Sequence, residues 1–330
     1  MITLVSRRNC LRTAASGLAL LALGSHAQSF PLRPIKLVVP FTPGGSADIL
    51  ARAVGQELAK SLGQPVVIEN LPGAGGSVAT ERVMRANADG YTLFMGHTGT
   101  LAVNPHLYPK LGLNPSRDFT AVALVAKVPN VLVVHPSVPA QTLADLITLA
   151  KAKPVELSYG SGGNGSAAHI TMEYLKLQTG APMQHVPYRG TAPSVNDLLA
   201  GQIQALFTGS PALIPHIKAG KMRALAVSSA KRVPLLPDVP TVAESGVPGT
   251  AGFEADQWYG LVAPANTPAA VVTLLNEQVN KALESADLAT RFLTEGAQPS
   301  PTSPAAFGSL INAELKRWEK VVRSAKVTVD

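Results

Sequence analysis

One turn, Pro40 to Asp48, restricts the possible folds and functions of this chain more than any other segment. It follows an apolar extended run, 35–39, and precedes residues 46–62, where apolar positions recur at the spacings of an amphipathic helix. Glycine allows a backbone to approach a ligand closely, and the first N–H groups of a helix have no partner within it. The junction therefore predicts a site for a small carboxylate. Taken alone, the turn is equally compatible with an ordinary strand-to-helix connection. No lysine follows the glycines, which excludes a phosphate-binding P-loop.

Short apolar runs alternate with amphipathic segments along the rest of the chain. This alternation predicts βαβ units and therefore an α/β fold with largely parallel sheets and helices on both faces. The run 121–135 is long for one strand and contains Pro129, so we interpret it as a connection between two domains. The predicted strands cover 35–41, 65–69, 91–96, 119–134, 155–159, 183–188, 203–208, 222–228 and 258–263, and the predicted helices cover 46–62, 75–87, 141–152, 166–179, 191–200, 211–219, 268–285 and 302–325.

Four further turns rich in glycine, serine, threonine or asparagine stand at the ends of predicted strands. Ligands of open α/β sheets bind beyond the carboxyl ends of the strands. Five such turns, divided between two halves of the chain, predict a cleft lined by backbone N–H groups and hydroxyls. In chain order they are turn 1 (40–48), turn 2 (69–77), turn 3 (95–100), turn 4 (159–166) and turn 5 (186–193).

The first 27 residues have the pattern of an export signal. Three arginines and no acidic residue accompany an uncharged apolar stretch, 13–24, which is too short to span a bilayer. Residues 25–27 suit cleavage by signal peptidase. The run 6–12 resembles a twin-arginine motif but has Cys10 where Phe or Leu is usual, so the general secretory route stays open. We expect a periplasmic protein, cleaved near Ala27 and then without the chain's single cysteine.

Composition argues against several classes of partner. The leader holds three of the seven net positive charges, and the other lysines and arginines are dispersed without interleaved aromatic residues. We therefore expect no nucleic-acid partner. The seven histidines show no paired spacing with acidic residues, so we expect no metal site. Loss of the only cysteine with the leader would leave no disulfide and no thiol nucleophile.

Several of these segments resemble the extracytoplasmic solute receptors of the tripartite tricarboxylate transporters, also called Bug receptors. The resemblance covers nearly all of residues 32–325. It implies a two-lobed Venus-flytrap fold, like the type II periplasmic binding proteins, with crossing strands that join two mostly parallel sheets flanked by helices. The segments that carry it, in family order, are 40–48, 69–76, 89–93, 165–169, 186–190, 217–227 and 237–246.

The resemblance also implies a division of the chain and a function. We expect a leader (1–27), a discontinuous lobe 1 (28–128 and 229–330) and a lobe 2 (129–228). The family holds a small carboxylate between the lobes, largely by backbone amides and waters, and delivers it to a membrane permease. We accordingly expect a monomeric receptor without a cofactor or catalytic activity.

The predicted ligand-binding residues lie mainly in the turns. For some of them a purely structural role stays open. Asp48 could complement the dipole of its own helix, His169 and Trp258 could pack in the interior, and Arg189 could form a salt bridge. The full set is Pro43, Gly44, Gly45, Asp48, Asn70, Thr98, Ser161, Asn164, Gly165, Ser166, His169, Tyr188, Arg189, Gly190, Thr208 and Trp258.

One departure from the family pattern bears on the ligand. Gln204 and Thr208 stand where acidic residues are common in the family. An acid near the cleft would be a partner for a ligand ammonium group. Its absence favours a plain di- or tricarboxylate over an amino acid.

Two other functions stay open at this stage. Residues 160–165 match G-x-G-x-x-G after a strand and before a helix, as in dinucleotide-binding oxidoreductases. The next strand ends at Arg189 without the acid that would hold a ribose, and Glu173 lies too early, which weighs against this reading. A ligand-sensing partner of a membrane sensor is the other alternative, because receptors of this fold serve both uptake and sensing.

Overall fold

The computed structural model describes residues 30–153, 156–325 and 327. The predicted leader and its cleavage site therefore lie outside the described residues. The strands are β1 (Ile35–Val39), β2 (Val66–Asn70), β3 (Thr92–His97), β4 (Phe119–Val128), β5 (Asn130–Val134), β6 (Ser158–Ser161), β7 (Gln184–Pro187), β8 (Ala205–Gly209), β9 (Arg223–Val227), β10 (Gln257–Pro264) and β11 (Gln298–Pro299).

The helices cover both faces of the sheets. They are α1 (Ser46–Leu62), α2 (Ser77–Met84), α3 (Asn104–Leu107), α4 (Pro115–Asp118), α5 (Leu143–Ala152), α6 (Ala167–Thr179), α7 (Thr191–Leu199), α8 (Ile214–Lys218), α9 (Ala269–Leu283), α10 (Ala286–Thr294) and α11 (Pro304–Ser324). None of the helices in the described ranges is long and apolar enough to span a membrane.

The strands form two sheets, each the centre of one lobe. Lobe 1 contains six strands in the order β11-β4-β10-β3-β1-β2, and lobe 2 contains five in the order β7-β6-β8-β5-β9. The predicted two-lobed α/β fold is confirmed. Both sheets are mixed rather than purely parallel: β10 and β11 run opposite to the other strands of lobe 1, and β5 runs opposite to the others of lobe 2.

The chain crosses between the sheets at two places, and each crossing supplies a reversed strand. Pro129 separates β4 of lobe 1 from β5 of lobe 2, so the predicted single run 119–134 consists of two strands. Proline has no N–H for a ladder, which explains the break. The second crossing runs from β9 to β10 through residues 228–256.

Local sequence signals explain most element boundaries. Helix α1 ends at Gly63, whose φ of 67° is the left-handed conformation that favours glycine. Helix α6 begins after Ser166, whose side chain accepts a hydrogen bond from the N–H of His169. The predicted helix 211–219 is a short 3₁₀ turn followed by α8, because Pro215, in the first turn of α8, has no N–H with which to continue the helix from the 3₁₀ turn. Helices α3, α4 and α10 and strand β11 were not predicted; three of these four are only two to four residues long.

Apolar residues fill both faces of each sheet. In β1, Ile35, Leu37 and Val39 point into one core, while Val38 points into another. This two-sided burial requires helices above and below the sheet. Because both faces of the sheet are covered, polar groups that could contact a ligand lie at the carboxyl ends of the strands, which is where the five turns are.

Candidate functional site

The shape of turn 1 depends on one buried carboxylate. Asp48 is 3% exposed and accepts hydrogen bonds from the Gly44 N–H (3.0 Å), the Asn70 amide (3.0 Å) and Arg52 Nε (2.9 Å). Burial by itself would raise the pKa of Asp48, but the hydrogen bonds from Arg52, Gly44 and Asn70 together hold it below its ordinary value. Asp48 and Asn70 therefore shape the turn, while Pro43 and Gly44 are exposed at its tip.

Turn 1 places the N-terminus of α1 against that of α7 in the other lobe. Gly45 precedes α1 and Gly190 precedes α7, and neither helix is capped by a side chain. A Cβ built on Gly45 would lie 3.5 Å from Cβ of Thr191, and one on Gly190 would overlap Oγ1 of Thr42. Uncapped N–H groups of both lobes thus converge, and such groups favour an anion.

Turn 2 and turn 4 make the second contact between the lobes. The Tyr108 hydroxyl of lobe 1 donates to the Asn164 carbonyl of lobe 2 at 2.8 Å. A Cβ on Gly75 would overlap that carbonyl oxygen, and one on Gly165 would overlap Oδ1 of Asn104. Both glycines have positive φ, 58° and 80°. The lobes therefore meet closely enough that side chains at these glycines would separate them.

Turn 3 joins the same contact. A Cβ on Gly99 would lie 2.8 Å from the carbonyl oxygen of Gly165 and 2.9 Å from the N–H nitrogen of Ala167. Thr98 is buried, and its Oγ1 accepts a hydrogen bond from the backbone N–H of Trp258 at 3.0 Å. The structure thus brings together all five turns that the sequence singles out.

Side chains within lobe 2 hold turn 4. His169 Nδ1 accepts the Gly165 N–H at 3.1 Å, which leaves the ring proton on Nε2. Ser161 Oγ accepts the Gly163 N–H at 3.1 Å and lies 2.6 Å from Nε2 of His185. These contacts engage two backbone donors of the turn, so Ser161 and His169 act as its supports. Ser166 likewise caps α6.

The histidines near the turns are neutral. Burial lowers the pKa of His97 to about 3, that of His169 to about 4 and that of His185 to about 3. The rings of His169 and His185 stack at 4.0 Å, so a charge on one would disfavour a charge on the other. An anion bound between the lobes would therefore be held by dipoles, with no imidazolium to pair with.

Several predicted residues lie outside this convergence. Trp258 is among the predicted ligand-binding residues, with packing as the first interpretation and a cleft wall as the second. Its side chain is buried in lobe 1, where its ring packs on Phe307. The reason is that alternate residues of β10 face opposite sides of the sheet. Arg189 is exposed and forms no ion pair with any described residue. Thr208 is buried within β8, opposite Val131 of β5.

Tyr188 is anchored within its own lobe. Its hydroxyl donates to Asp197 Oδ2 at 2.6 Å. Burial, together with that hydrogen bond and the charge of Asp197, raises the pKa of Tyr188 to about 12. Its backbone carbonyl oxygen would lie 3.0 Å from a Cβ on Gly163, so the residue also packs against turn 4.

Two polar atoms that the sequence did not single out point to a ligand or water. Oγ1 of Thr42 and Oδ1 of Asn104 are buried and lack a hydrogen-bond partner in the described part of the chain. Leaving such an atom unpaired costs about 1–3 kcal/mol. Thr42 lies against Gly190 and Asn104 against Gly165, so both atoms belong to the lobe contact. Thr42 lies inside turn 1 and could have been singled out with it. Asn104 follows turn 3, and nothing in the neighbouring sequence indicated a role at the site.

The described residues hold no cluster of three or more His, Cys, Asp or Glu side chains able to bind a metal ion. The G-x-G-x-x-G segment also lacks the geometry of a dinucleotide site. Its Gly163 and Gly165 N–H groups are engaged by Ser161 and His169. Its Asn164 carbonyl is covered by lobe 1.

Comparison with known proteins identifies the family of this two-lobed chain. The model of the tripartite tricarboxylate transporter family receptor matches residues 50–327. The chain belongs to this receptor family. It is 40% identical to Protein BugT of Bordetella pertussis over 298 residues, which is 90% of each chain. Members of the family are extracytoplasmic, periplasmic receptors.

Two solved structures are similar to this receptor. An R. palustris protein solved with adipate is 40% identical, with a TM-score of 0.87 over 91% of this chain and 99% of that one. The Rhodopseudomonas palustris protein MatC, solved with bound malate, is 36% identical, with a TM-score of 0.85 over 89% of this chain and all of that one. The receptor thus shares its fold with two carboxylate-bound proteins.

Proposed function

We propose that this receptor captures a small di- or tricarboxylate between its lobes and delivers it to a permease of the tripartite tricarboxylate type. The observation that carries the proposal is the meeting of two uncapped helix N-termini, after Gly45 and after Gly190, where the buried histidines are neutral. Backbone dipoles then supply the attraction for an anion. Adipate and malate in the related structures support the same ligand class.

The mechanism is hinge closure. A carboxylate binds the N–H groups of one lobe, and the other lobe closes over it with its own donors while water leaves. Pro129 and the segment 228–256 are the connections about which the lobes rotate, so we propose lobe boundaries at residues 128 and 229. On closure, Oγ1 of Thr42 can donate to the bound carboxylate, and Oδ1 of Asn104 can accept a hydrogen bond from a water that the ligand holds in place.

Calorimetry on ligand-stripped protein tests the ligand class. Adipate, malate and a panel of other organic acids are the probes, and neutral sugars are the control. We expect at least one carboxylate to bind with a Kd around micromolar, about −8 kcal/mol, and the sugars not to bind. At a hundredfold excess over Kd the carboxylate should add roughly 2.7 kcal/mol to the free energy of unfolding. Binding of a sugar and of no acid would refute the proposal.

We further propose that the receptor is a monomer without catalytic activity or a nucleic-acid partner. NAD and NADP at millimolar concentration should leave its melting unchanged, since Ser161 and His169 occupy the backbone donors of turn 4. A saturable shift with either nucleotide would restore the oxidoreductase alternative.

Export completes the proposal. The charged start and short apolar stretch of the leader suit removal after Ala27 in the periplasm. Mass spectrometry of periplasmic protein should show an N-terminus at, or within a few residues of, Gln28. A soluble periplasmic protein that still begins at Met1 would contradict this.

A further inference from the structure

A groove of about 600 Å³ lies where the two lobes join, apart from the five turns. One wall belongs to residues 229–235 of the second crossing, where Val233 and Leu235 pack against the core of lobe 2, and the other to residues 290–298 of lobe 1, from the end of α10 to the start of β11. Lys127, Pro129 and Asp256, next to the two chain crossings, complete the lining. We call this feature the hinge groove.

The walls of the hinge groove are largely apolar. Val233 and Ala297 are buried and Leu235 is half-buried, whereas Leu293 leaves 54% of its surface exposed. Exposed leucine side chains are unremarkable when scattered, but this one borders a concave apolar surface that both lobes build. Sites for small molecules have volumes of about 300–1,000 Å³, apolar walls and a few polar groups, and they favour domain interfaces.

The charges at the hinge groove are mostly positive. Lys127 and Lys231 are exposed and form no ion pair with any described residue, whereas Arg232 pairs with Glu244 at 3.0 Å. Two ammonium groups are therefore free beside the apolar wall. Long lysine side chains can lay their methylene groups on such a wall and keep the charge at its rim.

Asp256 is the one acidic residue in the lining. Its Oδ1 accepts a hydrogen bond from the Ser228 hydroxyl at 2.6 Å, so the carboxyl group is held at the crossing. A carboxylate ligand would place its own charge away from Asp256 and towards the lysines.

We propose that the hinge groove binds one amphipathic carboxylate. Its alkyl chain lies along the wall of Leu293 and Leu235, and its carboxylate lies between Lys127 and Lys231. The occupant contacts both lobes, so it stabilises the arrangement in which the five turns touch. This site is separate from the carboxylate site proposed between the turns, and its test uses no ligand of that site.

Calorimetric titration with dodecanoate, below the concentration at which it forms micelles, tests the hinge groove. We expect one saturable site per chain. Leu293→Asp should weaken binding about tenfold or more, because it places a like charge on the apolar wall. Lys231→Gln should weaken it about threefold, with a smaller dependence on salt concentration. Asp256→Asn should bind at least as tightly as the unaltered protein, because it removes the charge of the one acidic residue in the lining.

Two matched variants serve as controls. Leu177→Asp alters an exposed leucine on α6, and Lys281→Gln alters an exposed lysine on α9, and neither residue lines the hinge groove. Each should change dodecanoate affinity less than about twofold. Absence of saturable binding, equal losses in Leu177→Asp and Leu293→Asp, or weaker binding by Asp256→Asn would each overturn the proposal. Unchanged melting of the Leu293→Asp protein verifies that it is folded.

Discussion

Single glycines decide how closely the lobes can meet. Gly45 has a φ of −83°, which any residue can adopt, so a side chain there is limited only by the space before Thr191. Gly165 differs because its φ of 80° would strain another residue even without a neighbour. Substitution at Gly45 therefore tests closure alone, whereas substitution at Gly165 also tests the fold of turn 4.

A graded series at Gly45 follows from this distinction. A Cβ there makes ordinary contact with Thr191, so Gly45→Ala should bind the carboxylate found in the calorimetric screen almost normally. The extra methyl groups of Gly45→Val would fill the space between the helix N-termini and should weaken binding at least tenfold, about 1.4 kcal/mol. Titration calorimetry measures both variants. A Gly45→Val protein with normal melting and full affinity would show that the site lies elsewhere.

At the scale of elements, a stack of rings links β6, β7 and α6. His185 lies between Tyr159, at 4.9 Å, and His169, at 4.0 Å. It also lies beside Ser161, which holds turn 4. The stack is stable only while both imidazoles are neutral, so protonation would act directly on the turn.

The stack predicts a loss of stability on acidification. Burial sets the folded-state pKa of His185 at about 3 and that of His169 at about 4, below the ordinary 6.5, so the unfolded chain binds more protons between these values. The free energy of unfolding should then fall as the pH is lowered from about 6.5 to about 4. His185→Asn should remove part of that dependence, on the order of 2 kcal/mol over the window.

Urea unfolding at pH 7 and pH 4.5 measures this effect. The matched variant is His216→Asn, which alters a half-buried histidine on α8 outside the stack. It should keep the pH dependence of the unaltered protein. If the free energy of unfolding of His185→Asn depended on pH in the same way as that of the unaltered protein, His185 would not take up a proton on unfolding in this pH range.

At the scale of the whole molecule, few polar contacts hold the lobes together at the five turns, whereas nearer the chain crossings Ser210 donates to the Gly296 carbonyl at 3.0 Å and the Gln257 amide donates to Asn130 Oδ1. Tyr108 donates to the Asn164 carbonyl at 2.8 Å, and Ser46 donates more weakly to the Gly209 carbonyl at 3.4 Å. A hydrogen bond of this kind contributes about 0.5–1.5 kcal/mol. In the proposed hinge mechanism, so small a contribution at the turns would let the lobes open again and would leave the ligand to supply most of the free energy of closure.

Removal of one such contact should weaken ligand binding without unfolding either lobe. Tyr108→Phe deletes the donor to Asn164, so carboxylate affinity should fall about two- to tenfold, with unchanged melting of the ligand-free protein. Tyr174→Phe is the matched control, because that ring stacks on Phe253 within the core. Equal affinity of the two variants would show that the Tyr108 contact is not part of the closed state.

Local signals in the sequence determined the α/β class, the connection between two domains near Pro129 and the positions of the five turns, whereas the two-lobed arrangement came from the family resemblance. Apolar periodicity marked α1 and α11, and glycine and proline marked where strands end, since these effects act within a few residues. The same signals missed α10 and did not distinguish Trp258 in the core from a cleft wall. The glycine-rich junction before α1 already indicated a small carboxylate, and the family resemblance indicated the same ligand class and its delivery to a permease.

Tertiary structure alone decided how the turns pair. Turn 1 meets turn 5, and turn 2 meets turn 4, across more than eighty residues of sequence in each case. Contacts within each lobe make Ser161, His169 and Asp48 supports of the turns. The pairing across the lobes is what buries the oxygen atoms of Thr42 and Asn104 without a hydrogen-bond partner among the described residues. The physical reason is that hydrogen bonding and burial depend on which distant groups come together. Glycine and proline specify the bend of each turn but carry no information about its partner.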